Sequence, residues 1–145
     1  MRLELTDKCN LKCEMCWSSN WKHSDMSFEN LKRIIIDYKS HEGNGIVVLT
    51  SREPIMSKYF CQVLDLCTEL ELDVKILTNC TLINERICKK IIESNVSFIG
   101  ISIHGNEELH DSITKVKGSF RKTLNGIEML NQYKKTYGKN IDIRI

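Results

Sequence analysis

Three cysteines lie within eight residues near the start of the chain, at Cys9, Cys13 and Cys16. Thiolates spaced this closely can converge on one metal centre, and a set of three leaves one metal position open, whereas closed structural sites take four protein ligands. His23 is a candidate fourth ligand if the metal is zinc. Three buried thiols without a metal are the plainer alternative, but buried thiols rarely cluster in a polar loop. The spacing therefore predicts a metal site and leaves iron–sulfur and zinc open.

Polar side chains follow the later apolar runs of the chain. Ser51, Arg52 and Glu53 come directly after the run at 46–49, and Asn79 and Ser102 occupy similar places near the ends of the next two runs. In parallel α/β folds, reactive groups collect at the carboxyl ends of the strands. This placement favours an enzyme whose site lies around the cysteine loop.

Apolar strand-like runs alternate with helical periodicity along the whole chain. Helices are predicted to begin after Ser27, at Pro54 and after Ser119, and Gly138 is placed to end the last one. A further helix between the second and the last is predicted to carry Ile87, Ile91 and Ile92. Together the runs predict about five strands and four helices of a parallel α/β fold. Periodicity alone does not separate a closed barrel, a partial barrel and an open doubly wound sheet.

The composition is that of an ordinary globular domain. The 145 residues, 41% apolar and 28% charged, contain no linker, and we expect a single domain. A formal charge of +2 without a Lys/Arg cluster indicates no binding to nucleic acid or membrane, and no apolar run is long enough to span a bilayer. No secretory signal is visible, and seven cysteines without a disulfide pattern favour a reducing compartment, so we expect a cytoplasmic protein. Cys61, Cys67 and Cys88 lie within helix patterns and are assigned to packing.

The segment 5–16, with the sequence LTDKCNLKCEMC, resembles the cluster loop of the radical S-adenosylmethionine (SAM) superfamily. The resemblance implies that its three cysteines hold a [4Fe–4S] cluster whose fourth iron binds the amino and carboxylate groups of SAM. It also implies reductive cleavage of SAM to a 5′-deoxyadenosyl radical, which abstracts hydrogen from a substrate. Met15 stands where the family commonly has an aromatic residue beside the adenine, with Trp17 just beyond it.

The segment 50–54, TSREP, is similar to the Gly-Gly-Glu-Pro loop of the same family, with Ser51 and Arg52 in place of the two glycines. The resemblance implies that the backbone of this loop and the Glu53 carboxylate receive the SAM amino group. Glycine permits positive φ angles and close backbone approach, so these two substitutions alter the loop. Because Glu53 precedes Pro54, its backbone is expected to be extended.

Two further segments are similar to the family in the same order along the chain. The segment 78–81, TNCT, resembles a Thr-Asn-Gly-Thr segment of the peptide-modifying branch, which implies that Asn79 contacts SAM or the substrate. The alternative is that Asn79 caps the helix that follows. Cys80 replaces the glycine and is expected to be a buried thiol. The segment 101–105, ISIHG, resembles a family strand end, which implies that Ser102 approaches the ribose or carboxylate of SAM. His104 and His110 are expected to be exposed loop residues without a role.

The family resemblance implies part of a (β/α)6 partial TIM-like barrel. We expect residues 1–145 to form a single core domain that is incomplete at its C-terminus and belongs to a longer protein. The resemblance also implies a flavodoxin- or ferredoxin-like electron donor and a peptide or protein substrate, as in the SPASM-type branch. The alternatives are a non-catalytic iron–sulfur relative, used for electron transfer or structure, and a zinc-binding interaction domain.

Overall fold

The computed structural model describes residues 1–18 and 25–145, which form a five-stranded parallel sheet and five α-helices. The strands are β1 (Arg2–Glu4), β2 (Ile46–Thr50), β3 (Asp73–Thr78), β4 (Val96–Ile101) and β5 (Asp142–Arg144). The helices are α1 (Phe28–Glu42), α2 (Phe60–Glu69), α3 (Glu85–Glu93), α4 (Glu107–Thr114) and α5 (Ser119–Thr136), with a short 3-10 turn at Pro54–Met56. The predicted parallel α/β class is confirmed.

The strands are ordered in the sheet as they occur in the chain, from β1 to β5. A doubly wound sheet reverses its strand order at a switch point, whereas a barrel wall adds each strand beside the one before it. Of the three alternatives that periodicity left open, the sequential order disagrees with the doubly wound sheet, and it matches the expected partial barrel. Because all the strands are parallel, the loops that follow them lie at one edge of the sheet.

The main hydrophobic core lies between the sheet and the helices. Alternate strand residues point into it, and they are fully or almost fully buried: Leu3, Val47, Leu49, Val74, Ile76, Val96, Ile99 and Ile101. Helices α1, α2 and α3 cover them with residues such as Leu31, Ile35, Phe60, Leu64 and Ile91. On the other face, Thr50 and Leu77 near the strand ends reach the site described below. None of the helices formed by residues 1–18 and 25–145 is long and apolar enough to cross a membrane.

Helix α4 was not predicted, and it brings the α-helices in the described part of the chain to five, where four were expected. Its eight residues include only two large apolar side chains, Leu109 and Ile113, so its helical period is weak. The helix begins at a capping residue instead, because the Asn106 side chain accepts a hydrogen bond from the Leu109 backbone N–H at 3.0 Å. Glu107 and Glu108 in its first turn favour the same start.

Two other predicted helix starts were displaced. Pro54 begins a 3-10 turn, and α2 begins only at Phe60 because Ser57 is extended with φ −68° and ψ 131°. Ser119 is the first residue of α5 rather than its cap, which is Gly118 in the left-handed region at φ 79°. The predicted cap at Ser27 is confirmed, since its side chain accepts a hydrogen bond from the Asn30 N–H.

Candidate cofactor site

A cavity of about 260 Å³ lies where the loops after β1, β2, β3 and β4 meet. Its lining brings together most of the residues singled out from the sequence: Cys9, Cys13, Cys16, Trp17, Ser51, Arg52, Asn79 and Ser102. Two of the predicted residues, Met15 and Glu53, are not in the lining. Met15 points into solvent with 58% of its surface exposed, and Glu53 is buried beneath the cavity wall.

The three clustered cysteines are each half-buried in the wall of this cavity. Burial raises the pKa of the Cys9 and Cys13 thiols, so a metal must displace their protons when it binds. Within residues 1–18 and 25–145, no three Cys, His, Asp or Glu side chains are close enough together to hold one metal ion. His23, the candidate fourth zinc ligand, lies outside the described residues. Three thiols spread around an open cavity fit a multi-atom iron–sulfur cluster better than a single tetrahedral zinc ion.

Hydrogen-bond donors surround the sulfur atoms. The Leu11 backbone N–H donates to Cys9 Sγ at 3.4 Å, and the Asn79 side-chain amide lies 3.8 Å from the same sulfur. Cys16 Sγ and the Ser18 hydroxyl are 3.4 Å apart. Donors of this kind favour the thiolate form and orient metal ligands. Asn79 also donates to the Asn10 side chain at 3.0 Å, which ties the loop after β3 to the cysteine loop.

Glu53 lies between the loop after β2 and the loop after β3. Its carboxylate is fully buried and accepts hydrogen bonds from the Thr78 hydroxyl at 2.8 Å, the Asn79 N–H at 2.8 Å and the Ile55 N–H at 3.2 Å. Burial raises the pKa of Glu53, and the three hydrogen bonds oppose that rise. The expected extended backbone is present, with φ −124° and ψ 102°. The carboxylate thus braces the loop after β3 against the loop after β2.

Ser51, Arg52 and Cys80 have positive φ angles of 66°, 44° and 64°. These are the three positions at which the family resemblance has glycine. These three residues therefore adopt the left-handed backbone conformation although none of them is glycine. Each does so at a cost in stability of about 1–2 kcal/mol. Cys80 is buried as expected, outside the cavity lining, and burial raises the pKa of its thiol to about 12.

Replacing Ser51 with glycine should give a protein about 1 kcal/mol more stable than replacing it with alanine. Both substitutions remove the hydroxyl, but only alanine keeps the Cβ that disfavours φ 66°. Urea unfolding of the two variants measures the difference directly. A more stable alanine variant would show that the loop does not hold this backbone conformation.

His110 is buried in α4, and the prediction that it is an exposed loop residue is wrong. Its side chain lines the cavity with only 1% of its surface exposed, and Nδ1 accepts a hydrogen bond from the His104 N–H at 3.2 Å. That bond places the ring proton on Nε2. Burial and the neighbouring His104 ring lower the pKa of His110, so the imidazole is kept neutral. Sequence reasoning missed this residue because it missed the helix that carries it.

The sequence profile of the Radical SAM superfamily matches residues 3–141, which is nearly the whole chain. The chain belongs to the radical SAM superfamily. This family uses a [4Fe–4S] cluster and SAM, and the donor set of Cys9, Cys13 and Cys16 around an open cavity fits that cluster. The predicted family membership and the predicted cofactors are therefore confirmed.

Curated relatives and solved structures agree with this membership. Four curated relatives are 30–34% identical to the chain over 128–145 residues, and the chain spans only 31–50% of their length. Among them is the Fe-coproporphyrin III synthase of Methanosarcina barkeri, at 30% identity over 85% of this chain and 31% of that protein. The structure of native anSMEcpe with bound AdoMet matches 98% of this chain and 42% of its own, with a TM-score of 0.81 at 21% identity. Streptococcus suis SuiB bound to precursor peptide SuiA matches 91% of this chain and 30% of its own, with a TM-score of 0.77 at 20% identity.

Proposed function

We propose that this chain is the N-terminal portion of the catalytic core of a radical SAM enzyme and belongs to a longer cytoplasmic protein. The observation that carries the proposal is the convergence of three cysteines and the polar ends of three strands on one cavity. Cys9, Cys13 and Cys16 hold the cluster, and the rest of the cavity receives SAM. When bound, the cluster supplies the electron that cleaves the SAM sulfonium and so produces the radical that removes hydrogen from the substrate.

The residues of this chain position the reactants rather than react themselves. Donors at Leu11, Asn79 and Ser18 stabilise the thiolates. Ser51 and Arg52 hold the loop after β2 close to the cavity, and Ser102 supplies a hydroxyl from the loop after β4. Leu11 and Leu77 give the lining an apolar part. Glu53 acts indirectly by holding Asn79 in place.

The substrate we propose is a peptide or protein, and the electron donor is a flavodoxin- or ferredoxin-like protein. A peptide substrate is supported by the fold match to SuiB, which was solved with its precursor peptide SuiA. A tetrapyrrole is the second candidate, and it is supported by the 30–32% identity to the Fe-coproporphyrin III synthase and to the AdoMet-dependent heme synthases. Binding of the two substrate classes by the full-length protein distinguishes the candidates.

The proposal is tested on the full-length protein purified without oxygen. We expect about four irons and equivalent acid-labile sulfide per core domain, and 5′-deoxyadenosine after addition of SAM and dithionite. Stoichiometric zinc without iron would overturn the cluster assignment and favour a zinc-binding interaction domain. An intact cluster that yields no 5′-deoxyadenosine would instead favour the non-catalytic iron–sulfur relative.

A further inference from the structure

The carboxyl end of α4 docks on the cysteine loop. Helix α4 ends at Thr114 and is followed by the cap residue Lys115, which is left-handed with φ 57°, so the last carbonyl groups of the helix have no partner within it. Two of them accept hydrogen bonds from the cysteine loop, from the Lys12 N–H to the Thr114 O at 3.0 Å and from the Glu14 N–H to the Ile113 O at 2.9 Å. These two amides flank Cys13 directly, so the helix end fixes the backbone on both sides of this cysteine.

Asp111 fixes that helix end to the start of α5. Its carboxylate accepts hydrogen bonds from the Gly118 N–H, from the Phe120 N–H at 2.9 Å and from the Ser119 hydroxyl at 2.9 Å. The Ser119 hydroxyl is also 2.7 Å from the Thr114 hydroxyl, and both residues are fully buried. The side chain of Asp111 therefore connects the last turn of α4, whose carbonyls hold the cysteine loop, to the first turn of α5.

The other half of the cysteine loop is anchored on α5 by a separate route. Thr123 in α5 donates to the Asn79 carbonyl at 2.9 Å, and the Asn79 side chain contacts Cys9 and Asn10. The part around Cys9 is thus held through the loop after β3, and the part around Cys13 through α4. Both routes end on α5, but only the second one passes through Asp111.

We propose that Asp111 is a positioning residue for Cys13. It holds the carboxyl end of α4 so that the Ile113 and Thr114 carbonyls keep the backbone around Cys13 in place to receive the cluster. The effect on the cluster rests on the proposed function, whereas the docking itself is a property of the polypeptide. The two are therefore measured separately.

The docking is tested by hydrogen exchange of the Lys12 and Glu14 amides in metal-free full-length protein. In Asp111→Asn, the amide side chain cannot accept all three hydrogen bonds, and we expect these two amides to exchange about tenfold faster, as loss of about 1.4 kcal/mol of protection requires. Glu107→Gln is the matched control, because it removes the negative charge of an exposed ion pair between the same two helices, the 2.7 Å pair with Arg121, and leaves the Asp111 network intact. It should leave both amides unchanged. Unchanged exchange in a folded Asp111→Asn variant would overturn the proposal.

Ser119→Ala keeps the test decisive if the asparagine variant does not fold. It removes one hydroxyl from the network, and we expect exchange of the same two amides to rise about threefold, the effect of losing part of one hydrogen bond. Unchanged exchange in this variant overturns the proposal as well.

The consequence for the cluster is measured on reconstituted holoprotein. Asp111→Asn should lose iron to a chelator about tenfold faster than wild type and give a broadened EPR signal from the reduced cluster, while Glu107→Gln should match wild type. Faster amide exchange with an unchanged cluster would refute positioning of Cys13. A wild-type protein that binds no cluster would count against the proposed function alone, because the exchange data stand without metal.

Discussion

Replacing Cys13 with alanine should reduce the iron bound by the anaerobically purified full-length protein from about four atoms per core domain to near zero. Alanine supplies no donor, and the two remaining thiols at Cys9 and Cys16 leave the cluster with half of its four irons unheld by protein. Iron and sulfide analysis, together with the absorbance of the cluster in visible light, measures the loss.

Cys61→Ala is the matched control for this variant. Cys61 is also a half-buried free thiol, but it lies in α2, outside the cavity lining. The Cys61→Ala variant should therefore bind as much iron as the wild type. Equal loss of iron in both variants would indicate general destabilisation, and unchanged iron in Cys13→Ala would show that Cys13 is not a ligand.

Replacing Glu53 with alanine should lower the free energy of unfolding by about 3–5 kcal/mol. The substitution removes the acceptor for three donors, of which the Thr78 hydroxyl and the Asn79 N–H hold the loop after β3. Glu53→Gln should lower the free energy of unfolding by less, about 1–3 kcal/mol. One carbonyl oxygen remains as an acceptor, but the NH2 group of glutamine then faces another hydrogen-bond donor. Glu128→Ala, at an exposed position in α5, should cost under about 0.5 kcal/mol.

Chemical unfolding of these variants at several pH values adds a second measurement. Burial raises the pKa of Glu53 above its ordinary value of 4.5. The contribution of its carboxyl group to the free energy of unfolding, measured relative to glutamine, is therefore fully present below pH 4.5. It declines as the pH rises through the pKa of the folded protein. If the stability difference between wild type and Glu53→Gln increases with pH instead, the burial of this carboxylate is misassigned.

The strands and the grouping of their end loops were predictable because they depend on local signals. The continuous apolar run that became β2 is typical of a parallel strand, and parallel strands bring their carboxyl ends to one edge. This is why Cys13, Asn79 and Ser102 line one cavity although they are far apart in the chain. The closeness of these residues follows from topology alone.

The features that were not predicted depend on contacts between distant residues. Helix α4 has a weak apolar period, and its end is fixed by Asp111 and by the cysteine loop about 100 residues earlier. The burial of His110 follows from that helix. The Ile55 N–H of its own loop accounts for one contact of the Glu53 carboxylate, but the other two donors, on Thr78 and Asn79, lie about 25 residues further along the chain.

The cysteine loop precedes helices α4 and α5 in the chain, and this order determines when the loop gains its support during synthesis. The carbonyls that hold Cys13 belong to Ile113 and Thr114, so about 100 residues must be added after the cysteine before its support exists. At the speed of a ribosome this takes roughly 5–20 s. During that interval the thiols are unshielded, and a cluster delivered then would meet an unsupported Cys13. Insertion of the cluster is therefore expected after α4 and α5 have folded, well after the cysteines that receive it have been made.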